Sequence, residues 1–274
     1  MSFGFAQPWH LFLPREGGHL VAIGGCGGRE DFLSAMVAVY RDEGVAVAVA
    51  TIGAGGASAP RGPTVAWSDL VAGKPMVPAG VVHVHGGDEA EAGQVADITA
   101  EQADELGRLL PDHVVLVTVG PEAGRPLADP AVVAGSWPAR TSLALLAVGV
   151  GAVGGPAGRN IARSGAAPSG PLADLPAHAV LTWDHLAELV GGERGLGTLL
   201  PTAPRVLALA GLEDQDDSIG LFAFCDRMMA EAAWPLVVFG TRTDAGFAVR
   251  TAYRDAAAGD ADGGNPDGPA GVCP

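Results

Sequence analysis

The stretch AIGGCGGREDFLSAM (22–36) sets Gly24, Gly25, Gly27 and Gly28 between an apolar run and a helical pattern. Backbone N–H groups at the start of a helix can receive an anion, and glycines let the backbone approach it closely. A phosphate loop follows its glycines with Lys, which neutralises the β- and γ-phosphates, and then with Ser or Thr, whose hydroxyl binds Mg²⁺. Here Arg29, Glu30 and Asp31 follow. Arg29 keeps the charge but not the compact ammonium. Glu30 removes the hydroxyl and puts a carboxylate at the anion position, and with Asp31 it complements the helix dipole. Two readings stand. The stretch is a phosphate loop with altered side-chain chemistry, or it is a strand-to-helix turn that needs glycines for packing. Cys26 is likewise open: a thiol at a helix start can become a nucleophile, but the nearby acids oppose that, and a small turn residue explains it equally.

A second constellation is HVHGGDE (83–89). It places His83 and His85 on one face of a strand with Asp88 beyond, a partial donor set for a metal ion. No second histidine cluster completes the set, so no metal is assigned, and a pair of strand-end histidines is the alternative. Asp184 and His185 fall in a helix's first turn and read as a capping acid and its surface neighbour. Asp214, Asp216 and Asp217 form an acidic loop that lacks the ordered turn calcium needs.

The elements that must position these residues are short apolar runs alternating with helical patterns. Strands are expected at 20–24, 45–51, 80–87, 113–120, 143–148, 205–211, 235–241 and 246–253. Helices are expected at 30–43, ended by Gly44; from the T-x-x-Q capping box of Thr99 and Gln102 to about 110; from Thr182 to the glycines at 191 and 192; and after Ser218. Strand, helix and strand within about 30 residues make a βαβ unit and imply a parallel sheet. The alternation predicts an α/β fold: a three-layer sandwich with a mostly parallel sheet, of the P-loop NTPase-like or Rossmann-like kind. Residues 1–255 read as one such domain. Residues 256–274 are too poor in large apolar side chains to bury a core and are expected to be a disordered tail.

Composition narrows the function. The chain has 274 residues, 48% hydrophobic and 17% charged, with a formal net charge of −15. Such a charge repels nucleic-acid backbone and anionic lipid, so neither is an expected partner. Cys26, Cys225 and Cys273 form no CxxC spacing, which points away from a disulfide framework or zinc knuckle and toward a reducing cytoplasm. The opening residues lack the n-region and h-region of a signal peptide. The uncharged stretch 141–158 carries five glycines and a proline, which suits a core strand and loop better than a membrane span.

The order AIGGCGGRED, a long gap, then DHVVLVTVGPEAGRPLADPA (112–131) resembles the YqeC family, P-loop proteins described as accessory to selenium-dependent molybdenum hydroxylases. The family's loop, roughly GAGGKT, corresponds to Gly25-Cys26-Gly27-Gly28-Arg29-Glu30. Its second signature, roughly D-Y-V-L-V-E-A-D-G, matches through Val117, and Thr118, Val119 and Gly120 replace the acidic end. A G-R-P-L-K-x-P segment matches Gly124-Arg125-Pro126-Leu127, with Ala128 for Lys and Pro130 kept. In VGVGAVGGPAGRNIAR (148–163), Ala162 stands for a family His and Arg163 is retained. RVLALAGLED (205–214) lacks the family's base-reading Asn. The family's loop Lys and Thr, its Glu-Ala-Asp acids and its Asn are the groups that bind phosphate, Mg²⁺ and base, and all are replaced, while glycines and core strands persist.

The resemblance therefore implies an accessory or maturation protein with a degenerate nucleotide site, without NTPase activity and without a bound cofactor. Its ligand-binding residues would be Gly25, Cys26, Gly27, Gly28, Arg29 and Thr118. An alternative is an enzyme that has reused the cleft for a non-nucleotide small molecule. Its catalytic candidates are His83, His85, Arg125 and Arg163, at the carboxyl ends of expected strands, where open α/β sheets bind ligands. A third is nucleotide binding through Arg29 without hydrolysis. The expected partners are a small molecule in the cleft and a protein.

Overall fold

The computed structural model describes residues 8–53, 57–58, 62–74, 80–87, 94–121, 124–164, 170–212, 218–231, 234–243 and 246–254. The strands in chain order are β1 (Leu20–Cys26), β2 (Val47–Ile52), β3 (Ala57–Ser58), β4 (Thr64–Ala66), β5 (Val81–His85), β6 (Gln94–Val95), β7 (Val114–Val119), β8 (Leu127–Ala128), β9 (Leu143–Gly149), β10 (Ile161–Ala162), β11 (Arg205–Ala210), β12 (Leu236–Thr243) and β13 (Gly246–Arg254). The helices are α1 (Arg29–Asp42), α2 (Trp67–Val71), α3 (Ala100–Leu109), α4 (Pro130–Val133), α5 (Ala157–Asn160), α6 (Trp183–Gly191) and α7 (Ser218–Glu231).

Nine strands form one sheet in the order β13-β12-β11-β9-β1-β7-β2-β5-β4. All its pairs are parallel except the β12–β13 edge. The fold is thus the expected α/β sandwich, and its layers follow from strands that are apolar on both faces. On β1, Val21 and Ile23 face the layer of α1, where Phe32, Met36 and Tyr40 are buried. Leu20 and Ala22 face the opposite layer, with Ala103 and Leu106 of α3. Over β9, β11 and β12 that second face is covered by α6 and α7 through Leu186, Leu189, Phe224 and Met228.

Capping chemistry sets two helix starts as expected. Gln102 N donates to Thr99 Oγ1 at 3.2 Å, and Thr99 N donates to Gln102 Oε1 at 2.8 Å. At α6, His185 N donates to Thr182 Oγ1 at 3.3 Å, and Thr182 N donates to His185 Nδ1 at 3.2 Å. His185 is therefore the reciprocal member of a capping box rather than a bystander, while the exposed Asp184 pairs with Arg227 at 3.3 Å.

Two differences from the expected elements have local causes. β2 begins at Val47 because Val45 N donates to Tyr40 O and closes the end of α1. The edge strand β4 is three residues long, too short to carry a periodic signal. Asp88, Asp214, Asp216, Asp217 and the segment 256–274 lie outside the described residues. No helix among the described residues is long and apolar enough to cross a membrane.

From β1 the chain runs through α1 to β2, two places along the sheet, and β7 returns into the gap; β9, β11 and β12 build the other side. The carboxyl end of β1 is thus where the winding reverses, the position at which open α/β sheets leave a crevice.

Candidate functional site: the cleft at the end of β1

The glycine turn is built by packing. β1 stays in register with β9 as far as Cys26, opposite Val148, and α1 starts three residues later. Gly27 has φ +75°, and a Cβ there would lie 2.6 Å from Pro126 O and 2.8 Å from Gly149 Cα. Gly28, also left-handed at φ +82°, caps α1 against the side chain of Ala210. Gly24 lies under the indole of Trp137, and Gly25 under the carbonyl of Ala147. Every glycine of the turn is therefore required by a neighbour. The same geometry leaves a cavity of about 470 Å³ between the turn, Gly124–Pro126, Gly151, Gly211, Arg242 and Phe247.

Arg29 faces away from the role its position suggests. It is buried, and its Nη1 donates to Gly120 O at 2.7 Å, Val119 O at 3.0 Å and Pro121 O at 3.4 Å. Its Nε lies 3.5 Å from Glu30 Oε1. The guanidinium thus ties the first turn of α1 to the carboxyl end of β7. Thr118, one residue upstream on β7, is fully buried beside Ile23 and Thr51, with no hydrogen-bond partner for its hydroxyl among the described residues. Glu30 is exposed at the cleft, and Asp31 pairs with Arg242 at 2.9 Å. Cys26 is 1% exposed, and burial pushes its thiol up to about 12, against the pull of an Ala128 backbone hydrogen bond and the Arg29 charge. A buried thiol shifted this way is disfavoured as a thiolate, which favours the turn-filling reading of its side chain.

The GRPL segment and Arg163 meet on a small ribbon beside the turn, where β8 pairs in parallel with β10. Gly149 N donates to Pro126 O at 3.1 Å and joins this ribbon to the main sheet. Arg125 Nη1 donates to Gly158 O at 2.7 Å and Ile161 O at 2.8 Å. Arg163 donates to Leu172 O at 3.4 Å, Ala173 O at 3.3 Å and Leu175 O at 2.5 Å. A second cavity of about 480 Å³ opens between Arg125, Gly158, Ile161, Ala162, Arg163 and Ala177. Beside it, Asp129 is fully buried, and neither carboxylate oxygen is hydrogen-bonded to a described residue. Burial raises its pKa, and the nearby Arg163 charge opposes the shift.

The histidines lie elsewhere. β5 is separated from β1 by β7 and β2, which puts His83 and His85 about 14 Å from the glycine turn along the sheet edge. Burial lowers the His83 pKa, and His85 Nδ1 sits 3.2 Å from Gly87 O. Among the described residues no three His, Cys, Asp or Glu side chains are grouped to hold a metal ion. Sequence reasoning missed Arg242, Phe247 and Ala210 in the cleft wall and the orphaned Asp129. The first three reach the cleft only through the β11–β12–β13 order, which no local pattern encodes. No family model, no curated protein and no solved structure matches the chain.

Proposed function

We propose that this protein is a cytoplasmic accessory protein of the YqeC type, serving molybdenum hydroxylase maturation, which holds a small molecule in the cleft at the end of β1 and does not hydrolyse nucleotide. The observation that carries the reading is the position of Arg29. The side chain is buried, its Nη1 is held by the Val119, Gly120 and Pro121 carbonyls and its Nε faces Glu30, so it is not presented to a triphosphate as a phosphate-loop lysine is. A magnesium triphosphate would also meet Glu30 and Asp31 at the rim, with the acids that would organise the metal replaced by Thr118 and Gly120. The cavity volume suits a small organic ligand.

The enzyme alternative gains less support. The histidines stand away from the cleft, and burial disfavours the thiolate of the cysteine in the turn. Calorimetric titration with ATP and Mg²⁺ tests the reading: the expected dissociation constant lies above ~0.1 mM, with no phosphate release. Micromolar, Mg²⁺-dependent binding or steady hydrolysis would overturn it.

A further inference from the structure

We propose that the two cavities are one site for a two-headed organic anion, with two head groups joined by a diphosphate as in a dinucleotide, and that the free edge of Arg125 holds the joint. The inference rests on the reading that the cleft holds a small molecule, and it names the class of that molecule.

Arg125 is the residue that lines both cavities. Its Nη1 is spent on the carbonyls of Gly158 and Ile161. Those two bonds fix the plane of the guanidinium, while Nε and Nη2 make no hydrogen bond to the described residues. A guanidinium held by one nitrogen and open along its other edge presents two parallel donors at little further entropy cost. That fork matches two oxygens of a phosphate. Arg29 also gives its Nη1 to carbonyls, but it is buried and its Nε faces Glu30 Oε1 at 3.5 Å, so it does not present that edge to the cleft as Arg125 does.

The two sides of Arg125 offer unlike surroundings. The first cavity has the glycine turn as its floor, Phe247 in its wall and Glu30 and Asp31 at its rim. An aromatic wall and polar rim suit a planar, hydrogen-bonding head. The second is walled by Ile161, Ala162 and Ala177, with Arg163 at one side. Each cavity, at about 470 and 480 Å³, has room for one head group, and a ligand confined to one side leaves the other empty.

Charge selects the joint. A diphosphate diester carries one negative charge on each phosphate, and a guanidinium with two open donors can meet it. A terminal triphosphate carries more charge and brings it against Glu30 and Asp31. The winding reversal beneath the site is a place where open sheets accommodate such ligands.

The test is calorimetry on the full chain without Mg²⁺, with NAD⁺ and FAD as dinucleotide probes and AMP and inorganic pyrophosphate as their parts. At least one dinucleotide should bind roughly tenfold or more tightly than either part. Arg125→Ala should weaken that binding by about tenfold or more. Ala177→Trp fills the second cavity, of which Arg125 is one wall, while the residue itself lies away from the glycine turn. It should weaken the dinucleotide, leave AMP unchanged and keep the melting temperature, which guards against misfolding of the arginine variant.

The proposal is overturned if the parts bind as well as the whole, if either variant leaves dinucleotide affinity intact, or if neither dinucleotide binds at ~1 mM. ATP hydrolysis would defeat the proposed function and leave these comparisons standing. Absence of both hydrolysis and dinucleotide binding would defeat this inference alone.

Discussion

Besides the ion-paired Arg242, the cleft has two arginine walls, Arg29 and Arg125, and they are committed differently. At the start of α1, Arg29 is buried and bonded to Val119, Gly120 and Pro121, beside glycines each pressed against a neighbour. Before β8, Arg125 is exposed and gives only Nη1 to the protein. Both follow a glycine-rich stretch and both are cations at the strand ends. The first is held by packing on every side and serves the fold; the second is oriented by the fold and left open. A charge in a motif position therefore does not disclose where its head points: both arginines give Nη1 to carbonyls, and burial, with Glu30 beside the Arg29 Nε, is what separates the staple from the receptor.

The sharpest way to break the committed wall is Gly27→Ala. It forces a side chain into a left-handed conformation and within 2.6 Å of a backbone carbonyl, at a cost of about 3 kcal/mol or more. Chemical denaturation should show it, and a loss under 1 kcal/mol would mean the turn can relax. Next is Arg29→Ala, which strips buried donors from the Val119 and Gly120 carbonyls and should cost about 2–3 kcal/mol. An unchanged midpoint would remove Arg29's role as a staple.

On the open wall Arg125→Ala should cost only about 1 kcal/mol or less, since its bonds lie near the surface. A loss as large as that of Arg29→Ala would erase the contrast between the walls. The smallest change, and one of opposite sign, is expected for Asp129→Asn. The folded-state pKa of Asp129 is raised by burial. Below the usual carboxylate range the group is neutral folded and unfolded, and nothing is lost. As pH rises, the unfolded chain ionises first and stability falls, until the folded-state pKa is passed. The asparagine variant should therefore match the parent in acid and melt higher at neutral pH. Melting lower at neutral pH would show that the carboxylate is used as the charged partner of Arg163.

Much of the frame was readable because its signals are local. The runs LVAIGGC, VVLVTV and LALLAVG are apolar on consecutive residues, as strands buried on both faces must be, and the Thr99 and Thr182 caps sit where hydroxyls should. The site was readable only in outline. The glycines mark a tight turn, but whether their space is filled by Ala210, Pro126 and Trp137 or by a ligand depends on residues far along the chain. Arg29 keeps the charge of a phosphate lysine, and its diversion to β7 follows from β7 lying next to β1, a neighbour relation set by crossover topology. His83 and His85 have the spacing of a donor pair, yet the strand order keeps them away from the cleft.

The position of β1 also bears on how the chain is made. This strand emerges from the ribosome before the other eight of its sheet, yet it lies between β7 and β9. Its Leu20 N–H finds Ser142 Oγ 122 residues later. At a synthesis rate of about 5–20 residues per second, that is a wait of roughly 6–25 s. Until β7 is made, LVAIGGC, fully buried in the finished protein, has neither of its neighbouring strands to pair with, and β9 on its other side comes last of the two. The cleft is thus a late product of translation, and the nascent amino-terminal segment presents apolar strand surface on which a chaperone can act.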